Sequence, residues 1–533
     1  MKSIFQKITA FFMSIFVGFF GLFGIKLPEI YPDREPQVQE EIEVQGDWLL
    51  QGVPAFDAGY YSSALYNCGT GLFDDTVART PETDFEAGDL SQRATSAAAS
   101  MQIVRKTTLA DAAAYGEKLK SSGYTQTYSH QIENNFYYAY ETAGSNVYYY
   151  FNGNSGETRV IDDRGSTASI QTFSSVVEVP PEEPVTEPVT EPTGEPTGEP
   201  TGEPTGDPTQ TPEEPTEPPA PKPQRPTVYQ FSYPYRDAEH VGKNNYGSNG
   251  MLYAISLSDK RLIVIDGGNR WQASEQNVTE FFNFLHTISD TPEGETLHIA
   301  LWYCTHSHGD HSGFFYKLLR RYSDKIDLQR AMFNFPADSV MVKNAYSTRI
   351  RSILATRYPA LQYIKPHSGM SFRMQDAFCE VLYTHEDYCY AKDAAIPADN
   401  INESCSVLRM TLGGKVFFFP GDALEITAAT LLKHFSAATL HADVLQASHH
   451  LLVNLPELYA VVAPTYVMCP ASRLRATTTP YEAYLNLRQT IPDENFFFAG
   501  DGFAYGFTPQ ADGSISLSKI ETHCGAYDGS DLH

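Results

Sequence analysis

Hydrophobic and polar positions divide this 533-residue chain into stretches of different period. In LADAAAYGEKLKSSGY, residues 109–124, apolar side chains recur at helical spacing and Gly123 supplies a C-terminal stop. The runs FYYAYET, NVYYYFN and TRVIDD follow, separated by the turn sequences AGS and GNSGE, and predict an antiparallel meander. One helix on a small sheet, a small α+β domain, is therefore expected over 51–175. From 227 to 525 the strand-like runs multiply: MLYAISL, RLIVIDGG, LHIALWYCT, CEVLYT, VLRMTLGG, KVFFFPGD, ADVLQASHH, YVMCP and NFFFAGD. Helical patterns such as EQNVTEFFNFLHTI and GFFYKLLRRY lie between them. That mixture predicts a layered α/β or α+β fold large enough for one sizeable core.

Two further stretches have no globular pattern. EPVTEPTGEPTGEPTGEPTGDP, residues 187–208, repeats every four positions. Its prolines block helix and sheet and its carboxylates repel, so 176–226 is expected to be an extended, disordered linker to a separate working domain. Near the start, ITAFFMSIFVGFFGLFGI, residues 8–25, is uncharged and apolar and follows Lys2 and Lys7. A membrane-spanning helix needs about 20 such residues, and a secretory core about 7–15. No A-x-A cleavage site follows, so 1–27 is expected to be an uncleaved signal-anchor, with a cleaved signal peptide as the alternative. A polar spacer over 28–50 comes next, and 526–533 is a tail. The folded parts are then expected outside the cell, at the cell surface or extracellular, tethered to the membrane by the N-terminus.

The net charge of −27 changes this picture little. Residues 180–220 hold many carboxylates and no Lys or Arg, so much of the acidity belongs to the linker. The absence of a basic balance argues against tight, non-specific nucleic-acid binding through many phosphate contacts. Cys68, Cys304, Cys379, Cys389, Cys405, Cys469 and Cys524 are odd in number and form no CxxC pair. Neither a disulfide framework nor a cysteine-rich zinc site is indicated, and buried free thiols are expected.

Several predicted strands end in a residue able to bind metal: Asp266, His306, His385, Asp422 and His449. Strand ends at one sheet edge can converge although distant in sequence. The segment LWYCTHSHGDHSGFF adds His306, His308, Asp310 and His311 within six positions. Neutral imidazole and carboxylate suit a divalent ion, and Gly309 gives the backbone freedom to turn the two pairs to different sides. One strand-end loop can thus feed two neighbouring ions.

THSHGDHSG resembles the H-x-H-x-D-H motif of the metallo-β-lactamase fold superfamily, supported by IDGG around Asp266 and PGD around Asp422. The resemblance implies an αββα sandwich and two divalent metal ions, zinc first, with manganese or iron as alternatives. It implies that His306 and His308 bind the first ion with a third histidine, His385 in preference to His367. Asp310 and His311 would bind the second, Asp422 would bridge, and His449 would complete the second site. Asp310 would also serve catalysis by orienting the nucleophile. Residues 246–517 are further similar to the C-terminal hydrolase domain of competence-type DNA-uptake channel proteins, through NESCSVLRMTLGGKVFFFPGD, LHADVLQASHH and FFFAGDGFAYGFTPQADGSIS. This chain departs from them at Leu451 and Leu452, in place of Gly-Ser, and at Thr477 to Pro480, in place of Tyr-Gly-His-Pro.

The expected activity is hydrolysis by a metal-bound hydroxide, with the metals stabilising developing charge. Phosphodiester or nucleic acid is the leading substrate class. Arg473, Arg475, Asn402 and His450 are the candidate substrate-binding residues, and Lys317, Arg320 and Arg321 are either a second cationic set or a solvated helix face. An ester, thioester or lactam hydrolase is the second reading. A surface binding protein with a retained metallo-hydrolase scaffold is the third.

Overall fold

The computed structural model describes residues 46–63, 65–67, 99–143, 145–163, 225–233, 250–336, 346–392, 401–478 and 481–522. The predicted signal-anchor, the repeat at 187–208 and the tail lie outside these residues. Among the described residues no helix is long and apolar enough to cross a membrane.

The small domain is built from β1 (Ser100–Arg105), α1 (Leu109–Ser121), β2 (Thr125–Ile132), β3 (Asn135–Thr142), β4 (Ser145–Asn152) and β5 (Glu157–Asp163). Thr108 starts the helix with a capping box: its hydroxyl accepts from Asp111 N, and the Asp111 carboxylate accepts from Thr108 N. The sheet order is Tyr60–Tyr61, β1, β5, β4, β3, β2, with every neighbouring pair antiparallel. Ala112, Tyr115 and Leu119 of α1 cover one face, against Val104, Tyr140, Val147 and Tyr149.

The larger domain contributes two more sheets. The first contains β6 (Thr227–Gln230), β7 (Leu252–Ser256), β8 (Leu262–Asp266), β9 (Leu297–Tyr303), β10 (Arg330–Met332) and β11 (Gln362–Ile364), with α2 (Glu275–Ile288), α3 (Gly309–Arg321) and α4 (Ser347–Arg357) between strands. The second runs in simple order through β12 (Ser371–Met374), β13 (Ala377–Tyr383), β14 (Val407–Leu412), β15 (Lys415–Phe419), β16 (Val444–Gln446), β17 (Tyr466–Cys469) and β18 (Phe496–Phe498). Its helices are α5 (His385–Lys392), α6 (Glu425–His434), α7 (Pro456–Val462), α8 (Arg473–Thr478) and α9 (Glu482–Leu487). β19 (Phe503–Pro509) and β20 (Ile515–Glu521) return to the first sheet, whose order is β11-β10-β9-β8-β7-β6-β19-β20.

Alternation along the strands sets the layers. Ile263 and Ile265 of β8 face the same central core as Val381, Leu408, Met410, Phe417 and Phe419 of the second sheet. Leu262 and Val264 face outward onto α2 and α3, while Phe418 and Leu445 face α6 and α7. The result is the expected four-layer αββα sandwich, an α+β fold.

The sequence presents 51–175 and 227–525 as separate domains, yet the fold gives them a common core. The second face of the small sheet is also apolar, and needs cover. Met101, Ile103, Tyr137, Tyr148, Tyr150 and Ile161 find it against Met370, Phe372 and Met374. His130 is part of the join: its Nε2 lies 3.0 Å from Glu380 Oε1 of β13. Cys304, Cys379, Cys405 and Cys469 are free and buried.

Candidate metal centre

β8 and β9 are parallel neighbours, as are β15 and β16, so each pair ends at one edge of its sheet. At the end of β8 stands Asp266, beyond β9 Thr305 to His311, beyond β15 Gly421 and Asp422, and beyond β16 Ser448 to His450. Four strand ends from two facing sheets thus deliver one polar cluster into the sandwich. Gln446 fixes the β15 end by accepting from Gly421 N at 2.8 Å and donating to Gly421 O at 3.0 Å.

Two groups of potential ligand atoms emerge, each with its atoms within 4.8 Å of one another: His306, His311 and Asp422, and Asp310, His311 and His450. The Nε2 of His306 lies 3.1 Å from His308 Nδ1 and 3.7 Å from Asp422 Oδ2. The Nε2 of His311 lies 3.1 Å from Asp422 Oδ1. His450 Nε2 stands 3.4 Å from Asp310 Oδ2 and 3.7 Å from Asp422 Oδ1. His311 Nε2, His450 Nε2 and Asp422 Oδ1 are buried and, though they stand close together, none makes a well-aligned hydrogen bond. Buried polar atoms are seldom left so, and three converging on one point match the donor set of a divalent cation.

Outer contacts fix which nitrogen faces inward. Asp266 accepts from Thr305 N at 2.8 Å and from the Thr305 hydroxyl, and its Oδ2 lies 2.8 Å from His311 Nδ1. His450 Nδ1 lies 2.8 Å from Pro470 O, an acceptor only, so Nδ1 carries a proton and Nε2 is the nitrogen turned inward.

The electrostatics are those of a site built for cations. Burial pushes His306 and His308 below the ordinary imidazole range, which favours the uncharged rings that a cation requires. Burial would raise the Asp422 carboxyl, but His311, His449 and His450 outweigh it and hold it far down. Burial likewise opposes charge on His311, while Asp422 and Asp266 overcome this and raise it. Asp310 is lowered in the same way, burial being outweighed by its contact with His450 and by His311.

Several sequence expectations need correction. His450, read as substrate-binding, closes the group with Asp310 and His311, whereas His449 sits at the rim, 24% exposed and 3.8 Å from Asp422. The cause is the backbone: His449, His450 and Leu451 have φ of 44°, 54° and 63°, and that left-handed turn swings His450 inward. His385 is not in either group. It is the first residue of α5, with Nε2 3.1 Å from Asn334 Oδ1. His367 is drawn instead between Asp163 of the small domain and Glu386, at 3.2 and 2.6 Å. Arg473 is bound to Asp501 at 2.8 Å and lies over Phe498, so its charge is paired within the chain at the surface. Arg475 lies in α8, and its side chain is outside the described residues. Arg321 pairs with Glu275 in the last turn of α3, on the order of 15 Å along the helix from the ligands.

Asn402 does reach the site, its Nδ2 3.1 Å from His449 Nε2. Sequence reading missed Thr305 and Gln446, of which Thr305 stands next to the motif, so position alone pointed to it.

No protein-family model matches this chain, and neither does any curated protein. Among solved structures, the metallo-β-lactamase fold protein YhfI from Bacillus subtilis is similar at 10% identity over 53% of this chain and 99% of its own, with a TM-score of 0.31. CmlA, a diiron β-hydroxylase from Streptomyces venezuelae, is similar at 13% identity over 52% of this chain and 53% of its own, with a TM-score of 0.30. MEM-A1, a subclass B3 metallo-β-lactamase from a soil metagenome library, is 13% identical over 46% of this chain and 87% of its own, with a TM-score of 0.23.

Proposed function

We propose that this chain is an exported metal-dependent hydrolase acting on a phosphodiester, nucleic acid included. The observation that carries the reading is the convergence of His306, His308, Asp310, His311, Asp422 and His450, with the inward atoms of His311, His450 and Asp422 lacking well-aligned hydrogen bonds. A divalent cation bound there would supply Lewis acidity and would bring the pKa of a water down to about 7. His306, His311 and Asp422 form one set of potential ligands, with His308 beside His306 though in neither set, and Asp310, His311 and His450 form the other. Asp266 and Pro470 O set the ring orientations, so Nε2 of both His311 and His450 is available as a ligand. Asp310, half-buried at the mouth, is placed to orient an attacking water and accept its proton. The amide of Asn402 at the rim can donate to a substrate oxygen.

The test uses the full chain prepared with ample Zn, Mn and Fe. Elemental analysis is expected to find about two divalent ions per chain, the number such two-metal sites hold. Turnover of bis(p-nitrophenyl) phosphate is expected, and His308→Ala should abolish it. Metal-free protein, or undiminished turnover by His308→Ala, would overturn the reading. Faster turnover of ester, thioester or lactam substrates would move the substrate class to carbonyl compounds. Bound metal with no turnover of either set would favour the binding-scaffold reading.

A further inference from the structure

Arg270 begins a short 3₁₀ turn that packs on the start of α3, the helix that carries Asp310 and His311. Two glycines of that helix admit it. A Cβ on Gly313 would lie 2.5 Å from Arg270 Cβ, and one on Gly309 would lie 3.3 Å from Arg270 Cδ. Gly309 is the residue between His308 and Asp310, so the arginine lies across the metal-binding loop itself. Its guanidinium carbon stands 4.5 Å from the Trp271 ring centre and 5.9 Å from that of Tyr346. Tyr346 is tied to the same loop by its backbone N–H, which donates to Ser307 O at 2.6 Å.

Arg270 has no counter-charge among the described residues. Arg473 has Asp501 and Arg321 has Glu275, whereas among the described residues no carboxylate pairs with Arg270 and no hydrogen bond fixes its five donors. The side chain is half-buried and its plane is stacked on an aromatic ring, so it is already partly ordered and desolvated. A planar fork held in this way, beside the candidate metal ligands and without a carboxylate partner among the described residues, matches the bidentate geometry of phosphate oxygens.

We infer that Arg270 is the phosphate-recognition residue of this site, its guanidinium hydrogen-bonding the non-bridging oxygens of a phosphodiester held at the His308–Asp310 end of the metal centre. The inference rests on the hydrolase reading for its substrate, and on the geometry alone for its anion. Specificity for an anionic over a neutral substrate then comes from Arg270, and the metals serve both.

Arg270→Met keeps the aliphatic stem against Gly309 and Gly313 and removes the charge; Arg270→Lys keeps the charge and loses the fork. Arg321→Met, at the far end of α3, controls for net charge. Each is made in the full chain, and thermal melts verify folding. Calorimetry with dimethyl phosphate on the zinc-loaded protein is expected to show Kd at least tenfold weaker in Arg270→Met, intermediate in Arg270→Lys and unchanged in Arg321→Met. With bis(p-nitrophenyl) phosphate, KM should rise at least tenfold in Arg270→Met with kcat within about threefold, while KM for neutral p-nitrophenyl acetate stays within twofold. An unchanged dimethyl phosphate Kd in Arg270→Met overturns the inference, whatever the protein hydrolyses. A weakened Kd in a protein that turns over neither ester upholds the anion site and refutes the hydrolase reading. If Arg270→Met does not fold, Arg270→Lys decides: a Kd equal to that of the unmodified protein overturns the inference.

Discussion

His311 Nδ1 lies 2.8 Å from Asp266 Oδ2, and Asp266 is in turn held by the backbone N–H and hydroxyl of Thr305. The carboxylate fixes the imidazole ring that both potential metal groups use. Removing it should cost metal affinity by the 10–100-fold typical of outer-shell partners. Asp266 has φ of 59°, a conformation asparagine tolerates, so Asp266→Asn tests the charge without straining the chain. Competition with a chromophoric chelator should show the loss. Affinity within twofold of the original would mean that His311 is oriented by something else.

The parts of this centre that can be read from the sequence are those set by local spacing. His306, His308, Asp310 and His311 belong to one strand-to-helix connection, and Asp422 follows a short, Phe-rich apolar run of strand character. The parts that cannot be read depend on contacts between elements. Which of His449 and His450 turns inward is decided by three consecutive left-handed residues, and the leucine at 451 gives no hint of that conformation. His385 resembles a ligand because it follows a strand-like run, with His367 as its alternative. Asn334 holds the one and Asp163, some two hundred positions earlier in the chain, draws in the other. Arg473 looks free in the sequence for the same reason, since Asp501 reaches it from another element.

The junction between the small sheet and the larger domain rests on buried charge. Asp163 Oδ1 lies 3.0 Å from Lys365 Nζ, with both side chains fully buried, and Arg159 meets Asp387 at 2.7 Å beside them. Breaking such a pair on one side leaves an uncompensated charge and costs about 3–5 kcal/mol, whereas replacing both partners by apolar residues of similar size is often neutral. Asp163→Ala is therefore expected to lower stability by that amount in urea unfolding. Asp163→Leu combined with Lys365→Met should recover most of it. A double variant as unstable as the single one would show that Asp163 acts through His367 instead.

That histidine gives the junction a pH dependence. Burial opposes charge on His367, but Glu386 and Asp163 outweigh it and raise the imidazole to about 9. The folded value exceeds the ordinary one of about 6.5. The associated stability is thus fully present below pH 6.5 and is lost as pH rises through 9. Between pH 7 and 10 the unmodified protein should lose on the order of 2–3 kcal/mol more than His367→Gln, at about 1.4 kcal/mol per pKa unit. Parallel melting curves of the two proteins against pH would contradict this.

Leu451 combines two opposing effects at one position. Its φ is 63°, a region that costs a non-glycine residue about 1–2 kcal/mol, yet its side chain is wholly buried in the core under α6 and α7. The apolar contact outweighs the strain: truncating a buried leucine to alanine costs about 2–5 kcal/mol. This explains how leucine survives where the backbone favours glycine, and how His450 keeps its inward position. At ordinary sites glycine is less stable than alanine by roughly 1 kcal/mol. Here the strain released by glycine offsets that difference, so Leu451→Gly should be at least as stable as Leu451→Ala, both lying well below the unmodified protein in urea. A glycine variant less stable than the alanine one by the ordinary margin would mean that position 451 relaxes out of the left-handed region, and that the turn behind His450 is held by other contacts.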